Sequence, residues 1–182
     1  VFLVNSDGTA VFREAEGGKW LSIGGGVSEL VAGRDVTGTT LYALPPDRSA
    51  VLKFEGDTRW TKVGGPTAKL YGGIGGLIGT DPATGDLFLY SPQRDAWAKI
   101  GGPAKSVAIG GPGEIYAISP DGAAVFRYPG KPGPWERIAD ATGAIYAAPG
   151  HLYRTDAKGD LFRYDNAPNK WTKIGGAGKV FV

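Results

Sequence analysis

Trp60-Thr-Lys-Val-Gly-Gly65 is the stretch that decides the fold, because it recurs at near-constant spacing along the chain. Its close copies are Trp20-Leu-Ser-Ile-Gly-Gly25, Trp97-Ala-Lys-Ile-Gly-Gly102 and Trp171-Thr-Lys-Ile-Gly-Gly176. A fifth, Trp135-Glu-Arg-Ile138, is followed by Ala-Asp instead of the glycine pair. Successive tryptophans are 40, 37, 38 and 36 residues apart. A period this regular indicates a repeat architecture of five units.

Two further sets of apolar residues, which we call markers, recur at a nearly fixed distance before each tryptophan. One lies 18 or 19 residues before each tryptophan, at Phe2, Tyr42, Ile78, Tyr116 and Tyr153. The other lies 8 or 9 residues before it, at Phe12, Leu52, Phe88, Phe126 and Phe162. Turn residues separate the two markers in each copy, as in Asp7-Gly8 and Asp121-Gly122. Asp-Gly between alternating apolar runs is typical of a β-hairpin.

Each copy therefore predicts four short strands, which in the fourth copy cover 105–109, 114–119, 124–128 and 135–138. A four-stranded antiparallel unit of about 40 residues is the size of a β-propeller blade. The C-terminal residues 175–182 align with residues 101–108 and end in the first strand of a copy. The N-terminal residues begin at the second strand of a copy. We therefore expect one all-β domain over 1–182, a five-bladed β-propeller of four-stranded antiparallel blades. One blade is shared between the N- and C-termini, which closes the ring.

Composition agrees with this fold class and narrows the function. The 182 residues include 31 Gly and 13 Pro, about a quarter of the chain, against roughly an eighth in average proteins. The longest stretch without either covers nine residues, 47–55, which is too short for a convincing helix. A net charge of +2 and the absence of long apolar runs argue against nucleic acid and membrane insertion as partners.

The repeat resembles the tectonin repeat, and five copies resemble the tachylectin-type five-bladed propeller lectins. The Trp-x-x-Ile-Gly-Gly phrase, a following leucine-tyrosine strand and an aromatic-basic strand after the hairpin carry the resemblance. It implies a multivalent lectin without metal. Its ligands would be glycans with N-acetylated sugars, N-acetylglucosamine above all, bound between adjacent blades. We also expect a monomer without cofactor, and among compartments we favour the secreted, extracellular one. The aromatic residues that follow the glycine pair in those lectins have no counterpart here.

Two sets of recurring side chains are candidates for sugar contact. An indole face stacks on the C–H surface of a sugar, so the first set is Trp20, Trp60, Trp97, Trp135 and Trp171. Packing between blades explains the same pattern, and we favour it for the tryptophans. The second set, cations of opposite strand parity to the Phe marker, is Arg13, Lys53, Arg127 and Arg163, with Leu89 as the exception. These cations would either donate hydrogen bonds to a ligand or bridge the blades.

The sequence contains no recognisable set of catalytic residues. The chain has one histidine, His151, and no cysteine, so Cys-His pairs and multi-histidine metal sites lack parts, and a Ser-His-Asp triad would depend on this one histidine. The aspartates Asp7, Asp47, Asp81, Asp121 and Asp156 recur once per copy, and we interpret them as turn formers. The glycine pairs are expected to turn the chain between blades through backbone angles open only to glycine. We therefore predict no enzyme. The alternative to a lectin is a protein-interaction module of a larger secreted protein with vestigial sugar sites.

Overall fold

The computed structural model of the chain describes residues 1–131, 133–140 and 142–178, and these form five antiparallel sheets in chain order. Sheet 1 contains β1 (Phe2–Val4), β2 (Ala10–Glu14) and β3 (Trp20–Gly25). Sheet 2 contains β4 (Glu29–Asp35), β5 (Gly38–Leu44), β6 (Val51–Phe54) and β7 (Trp60–Gly64). Sheet 3 contains β8 (Leu70–Gly73), β9 (Gly76–Thr80), β10 (Leu87–Ser91) and β11 (Ala96–Gly101).

Sheet 4 contains β12 (Ser106–Ile109), β13 (Ile115–Ile118), β14 (Ala124–Arg127) and β15 (Glu136–Asp140). Sheet 5 contains β16 (Ile145–Ala148), β17 (His151–Thr155), β18 (Leu161–Tyr164) and β19 (Trp171–Gly175). The only helical element of the described residues is a 3₁₀ turn at Glu16–Gly18. Within these residues there is no helix with the length and apolar character needed to cross a bilayer. The all-β prediction and the four-stranded repeat are confirmed.

The five sheets follow the predicted repeat, with each strand paired to the next one along the chain. The first strands of sheets 2 to 5 also contact one another in sequence, β4 with β8, β8 with β12, and β12 with β16. The sheets therefore stand side by side around their first strands, as blades do. Sheet 1 has three strands, and the fourth predicted for it lies outside the described residues at 179–182. A closed ring is therefore not shown.

Adjacent sheets are held together by apolar cores on both faces. Alternate residues of a strand point to opposite faces of a sheet, and all four residues of β13 are buried. Ile115 and Ala117 pack toward sheet 3, whereas Tyr116 and Ile118 pack toward sheet 5. Corresponding cores join sheet 1 to sheet 2 and sheet 2 to sheet 3. The expectation that both parities of the inner strands are apolar is confirmed.

Glycine allows the inner strands to approach closely. A Cβ atom on Gly72 of β8 would lie 2.1 Å from the carbonyl oxygen of Ala32 in β4. A Cβ atom on Gly75 would lie equally close to the carbonyl oxygen of Gly111 in the next hairpin. Any side chain at either position would push neighbouring sheets apart, which accounts for part of the high glycine content.

Candidate functional site

Each tryptophan of sheets 2 to 5 is anchored to the preceding sheet by its indole N–H. Trp97 Nε1 donates to the carbonyl oxygen of Val63 at 2.7 Å, and Trp135 Nε1 donates to that of Ile100 at 2.6 Å. Trp60 makes the equivalent bond to Ile23 at 2.8 Å. These N–H groups are therefore not available to a ligand. The tryptophans join adjacent sheets, which is the role that we favoured for them from the sequence.

The glycine after Ile23, Val63 and Ile100 makes room for the anchored indole. A Cβ atom on Gly64 would lie 3.0 Å from Trp97 Nε1, and one on Gly101 would lie 3.2 Å from Trp135 Nε1. In sheet 4 this position is Ala139, and the bond from Trp171 Nε1 to the Ile138 carbonyl is stretched to 3.4 Å. None of the paired glycines has a positive φ. The prediction that they use backbone angles reserved for glycine is therefore wrong, because they provide space instead.

Two equivalent pockets open between adjacent sheets beside the anchored tryptophans, and each encloses about 220 Å³. The first, the Trp97 pocket, lies between sheets 2 and 3 and is lined by Gly65, Pro66, Thr67, Gly79, Thr80, Asp81, Phe88 and Trp97. The second, the Trp135 pocket, lies between sheets 3 and 4. Its residues at the corresponding repeat positions are Gly102, Pro103, Ala104, Ala117, Ile118, Ser119, Phe126 and Trp135. The site recurs with the blade, as a repeated binding site should.

The two pockets differ in polarity. Thr67, Thr80 and Asp81 line the Trp97 pocket, whereas Ala104, Ile118 and Ser119 occupy the same positions of the Trp135 pocket. Hydrogen bonds from the Thr84 and Ala83 amides hold the Asp81 carboxylate and lower its pKa. The Trp97 pocket therefore has an ionised acid at its edge at neutral pH.

The equivalent space between sheets 4 and 5 is filled from within the chain. The guanidinium carbon of Arg154 lies 4.7 Å from the ring centroid of Trp171 and 5.5 Å from that of Phe162. Arg154 pairs with Phe162 in the strand register, as Gly79 pairs with Phe88 and Ala117 with Phe126. This position therefore carries glycine or alanine beside the two open pockets and arginine where the space is occupied.

The predicted cations do not line either pocket. Arg13, Lys53, Arg127 and Arg163 pair across the strands with the first marker of each copy, on the opposite face from the Phe marker. Their parity is therefore confirmed, and in sheets 1, 2 and 4 this face is turned toward the sheet that follows. Their role as ligand donors remains a prediction.

Among these cations, Lys53 has a largely enclosed side chain, which is 15% exposed. Its ammonium lies 3.0 Å from Glu55 Oε1 and 3.4 Å from Asp35 Oδ2. Burial opposes the charge, but hydrogen bonds to the Glu55 and Asp35 carboxylates outweigh it and raise the pKa of Lys53. Both partners belong to the copy that forms sheet 2, so these ion pairs hold the lysine within its own blade and do not bridge neighbouring blades.

The recurring aspartates are turn residues, as predicted. A carboxylate oxygen of Asp7, Asp47 and Asp121 accepts the amide of the residue two positions on, at 2.9 to 3.1 Å. Asp156 does the same with the Lys158 amide. His151 is exposed at the start of β17, with its ring 6.1 Å from that of Tyr153.

Sequence reasoning missed the position after the first marker of each copy. Aligning the copies there gives Leu3, Ala43, Gly79, Ala117 and Arg154. The small residues of sheets 3 and 4 and the arginine of sheet 5 were visible in that column. The sequence did not show what these side chains would do, because that depends on the phenylalanine and tryptophan rings that the fold brings over them.

Neither a protein-family model nor a curated protein sequence matches this chain. Solved structures do match it. Virginiamycin B lyase from Staphylococcus aureus matches with a TM-score of 0.61 and 11% identity, over 98% of this chain and 70% of that chain. A chain of a nidogen/laminin complex gives 0.58 and 14%, over 90% and 70% of the two chains. An Aleuria aurantia lectin mutant in complex with Fucα1-6GlcNAc gives 0.50 and 15%, over 97% and 74%.

These similar structures are β-propeller proteins, which supports a propeller fold for this chain. At such low identities the likeness concerns the fold alone, and one fold hosts many functions. The tachylectin-type assignment in particular is not tested by these comparisons.

Proposed function

We propose that this chain is a non-catalytic carbohydrate-binding propeller that holds sugars in the pockets between adjacent blades. The observation that carries the proposal is the recurrence of one aromatic pocket, built at the same repeat positions, beside Trp97 and Trp135. Ring faces of this kind stack on the C–H surface of a pyranose. A lectin among the structurally similar proteins binds Fucα1-6GlcNAc, which agrees with the proposal.

The preferred sugar is N-acetylglucosamine, on the strength of the tachylectin-type resemblance. The apolar Pro103 and Ala104 of the Trp135 pocket offer a surface for the methyl group of an acetamido substituent. In the Trp97 pocket Thr67 and Asp81 offer hydrogen-bonding groups for hydroxyls. Each site is weak alone, and two sites on one glycan surface gain avidity through effective concentration.

The test removes the stacking ring without disturbing the blade. Leu52 occupies the Phe position in sheet 2, so Phe88→Leu and Phe126→Leu place a residue that the fold already uses there. We expect each variant to lose one equivalent of N-acetylglucosamine in an NMR titration, and the double variant to lose both. Phe162→Leu is the matched control, because Arg154 fills that pocket. No binding of N-acetylglucosamine or fucose by the unmodified chain at millimolar concentration would overturn the proposal.

A protein-interaction module is the second candidate, favoured by the apolar character of the Trp135 pocket. Leu87, Pro103, Ala117 and Phe126 line it, and its polar rim is limited to Ser119. An apolar side chain of a partner polypeptide fits such a wall better than a sugar hydroxyl does. Binding of apolar peptides without sugar binding, abolished by Phe126→Leu, would favour this candidate.

We also propose that the ring closes by packing sheet 5 against sheet 1. Trp20 and Ile174 are 43% and 47% exposed, although their counterparts in the other interfaces pack together. The Trp20 indole donates no hydrogen bond to any described residue. The Ile174 carbonyl holds the repeat position of the acceptors Ile23, Val63, Ile100 and Ile138. Closure would give Trp20 a carbonyl acceptor of the kind that the other four tryptophans already have.

A further inference from the structure

We infer that the Trp97 pocket binds a guanidinium cation, the arginine side chain of a partner polypeptide. This ligand class goes beyond the sugar of the proposed function. The inference rests on the counterpart of this pocket in sheet 5, which the chain fills with an arginine of its own.

Arg154 shows how the repeat holds a guanidinium group. The cation lies over the rings of Trp171 and Phe162, and its buried Nε has no hydrogen-bond partner among the described residues. Ring faces therefore contribute to holding it, as cation–π contacts do. Burial lowers the pKa of Arg154, and the carboxylates of Asp156 and Asp140 oppose that shift. Aromatic faces and nearby carboxylates together stabilise the charge.

The Trp97 pocket repeats the two rings and one of the two carboxylates, without the arginine. Trp171, Phe162, Thr155, Asp156 and Thr142 correspond in the repeat to Trp97, Phe88, Thr80, Asp81 and Thr67. Gly79 takes the place of Arg154, and both pair with the Phe marker of their own sheet. Of the two carboxylates near Arg154, Asp156 has its counterpart in Asp81, whereas Asp140 corresponds to Gly65. The chain thus contains the two rings and one carboxylate twice, once with an arginine and once open with about 220 Å³ of space.

A neighbouring lysine does not block the site. Lys99 Nζ is hydrogen-bonded to Asp86 Oδ2 at 2.6 Å. Sheet 5 has the same pair in Lys173 and Asp160, and Arg154 is nevertheless seated beside it. Because Lys99 is already paired with Asp86, the Asp81 carboxylate can still attract an incoming cation.

The Trp135 pocket provides an internal comparison. It retains the two rings but has Ser119 in place of Asp81, and Ile118 and Ala104 in place of the threonines. The rings are therefore accompanied by no acidic residue of the lining. We assign the cation site to the Trp97 pocket alone, with one equivalent per chain.

The experiment titrates the full chain with N-acetyl-L-arginine amide and follows the five indole N–H resonances by NMR. N-acetyl-L-citrulline amide is the neutral control of nearly the same shape. We expect saturable binding of one equivalent of the arginine compound, and binding of the citrulline compound weaker by about tenfold. Asp81→Asn keeps the turn acceptor and should weaken arginine binding by about two- to fivefold at low salt. Asp121→Asn changes a turn outside both pockets and should have no effect.

Two further variants exchange the open and filled states. Gly79→Arg supplies the occupant and should abolish binding, whereas Arg154→Gly opens the sheet 5 pocket and should add a second equivalent. Equal binding of the citrulline compound, or arginine binding unaffected by both Asp81→Asn and Gly79→Arg, would overturn the inference. Parallel titration with N-acetylglucosamine keeps the two proposals separate, because either ligand can fail while the other binds.

Discussion

The glycine that follows three of the four tryptophan-anchoring carbonyls offers a direct test of how the blades are joined. We predict that Gly64→Ala destabilises the fold, whereas Gly65→Ala at the next position does not. A Cβ atom on Gly64 would lie 3.0 Å from both Trp97 Nε1 and Val51 Cγ2, but none of the atoms around Gly65 would be within 4 Å. Neither glycine has a positive φ, so the two substitutions differ in space and not in backbone strain.

The magnitude follows from three contributions. Overpacking a buried contact costs about 1–3 kcal/mol, and weakening the Trp97 bond to the Val63 carbonyl costs up to about 1 kcal/mol. Replacing glycine by alanine returns about 0.4–1 kcal/mol by restricting the unfolded chain. We expect a net loss of about 1–3 kcal/mol for Gly64→Ala, a fall in Tm of about 3–10 °C for a chain of this size. Gly65→Ala should be neutral or stabilising by up to about 1 kcal/mol.

Calorimetry and urea unfolding measure both variants, and the indole resonances of the NMR spectrum report the local change. In Gly64→Ala the Trp97 N–H resonance should move upfield as its hydrogen bond lengthens. Ala139 is a natural precedent, because the indole bond beside it is 3.4 Å long. Equal stability of the two variants, or an unmoved Trp97 resonance, would refute the space-filling explanation of the glycine pair.

Three other predictions concern the same framework. Ala139→Gly should let Trp171 approach the Ile138 carbonyl, moving its indole N–H resonance downfield with a stability change below about 1 kcal/mol. Trp20→Ala should cost about 3–5 kcal/mol by urea unfolding if the ring closes as proposed, and a loss below about 1 kcal/mol would show that this indole stays exposed. Turn hydrogen bonds lower four carboxylate pKa values below the unfolded value, so their stabilisation is present at neutral pH and lost as pH falls below about 4. Asparagine at all four should flatten the acid limb of the stability–pH curve, and an unchanged limb would contradict this assignment to Asp7, Asp47, Asp81 and Asp121.

The sequence predicted strands and turns well because both depend on local chemistry. For the fourth copy it predicted strands over 105–109 and 124–128, and the structure has Ser106–Ile109 and Ala124–Arg127. The turn role of Asp121 was predictable because a carboxylate closes a turn with amides two residues away. Contacts of this range involve a few consecutive residues, so a single copy is enough to reveal them.

The site was only partly predictable. The tryptophans were identified correctly as recurring residues, and two of them line pockets. The cations were candidates for ligand contact or for bridging the blades, and the structure has Lys53 held by two carboxylates and none of the four lining these pockets. Strand parity shows which face a side chain occupies. It does not show how far along the interface the neighbouring sheet leaves a gap.

By itself, the sequence determined the period, the hairpins and the antiparallel four-stranded unit, since these depend on residues adjacent in the chain or in one sheet. Only the tertiary structure decided which interfaces are open, because that depends on side chains from separate strands that meet only when the sheet has formed and its neighbour has packed against it. Gly79 and Arg154 occupy the same place in their repeats, yet one leaves a cavity beside Trp97 and the other fills the space beside Trp171. The volume of one side chain between two rings sets that difference.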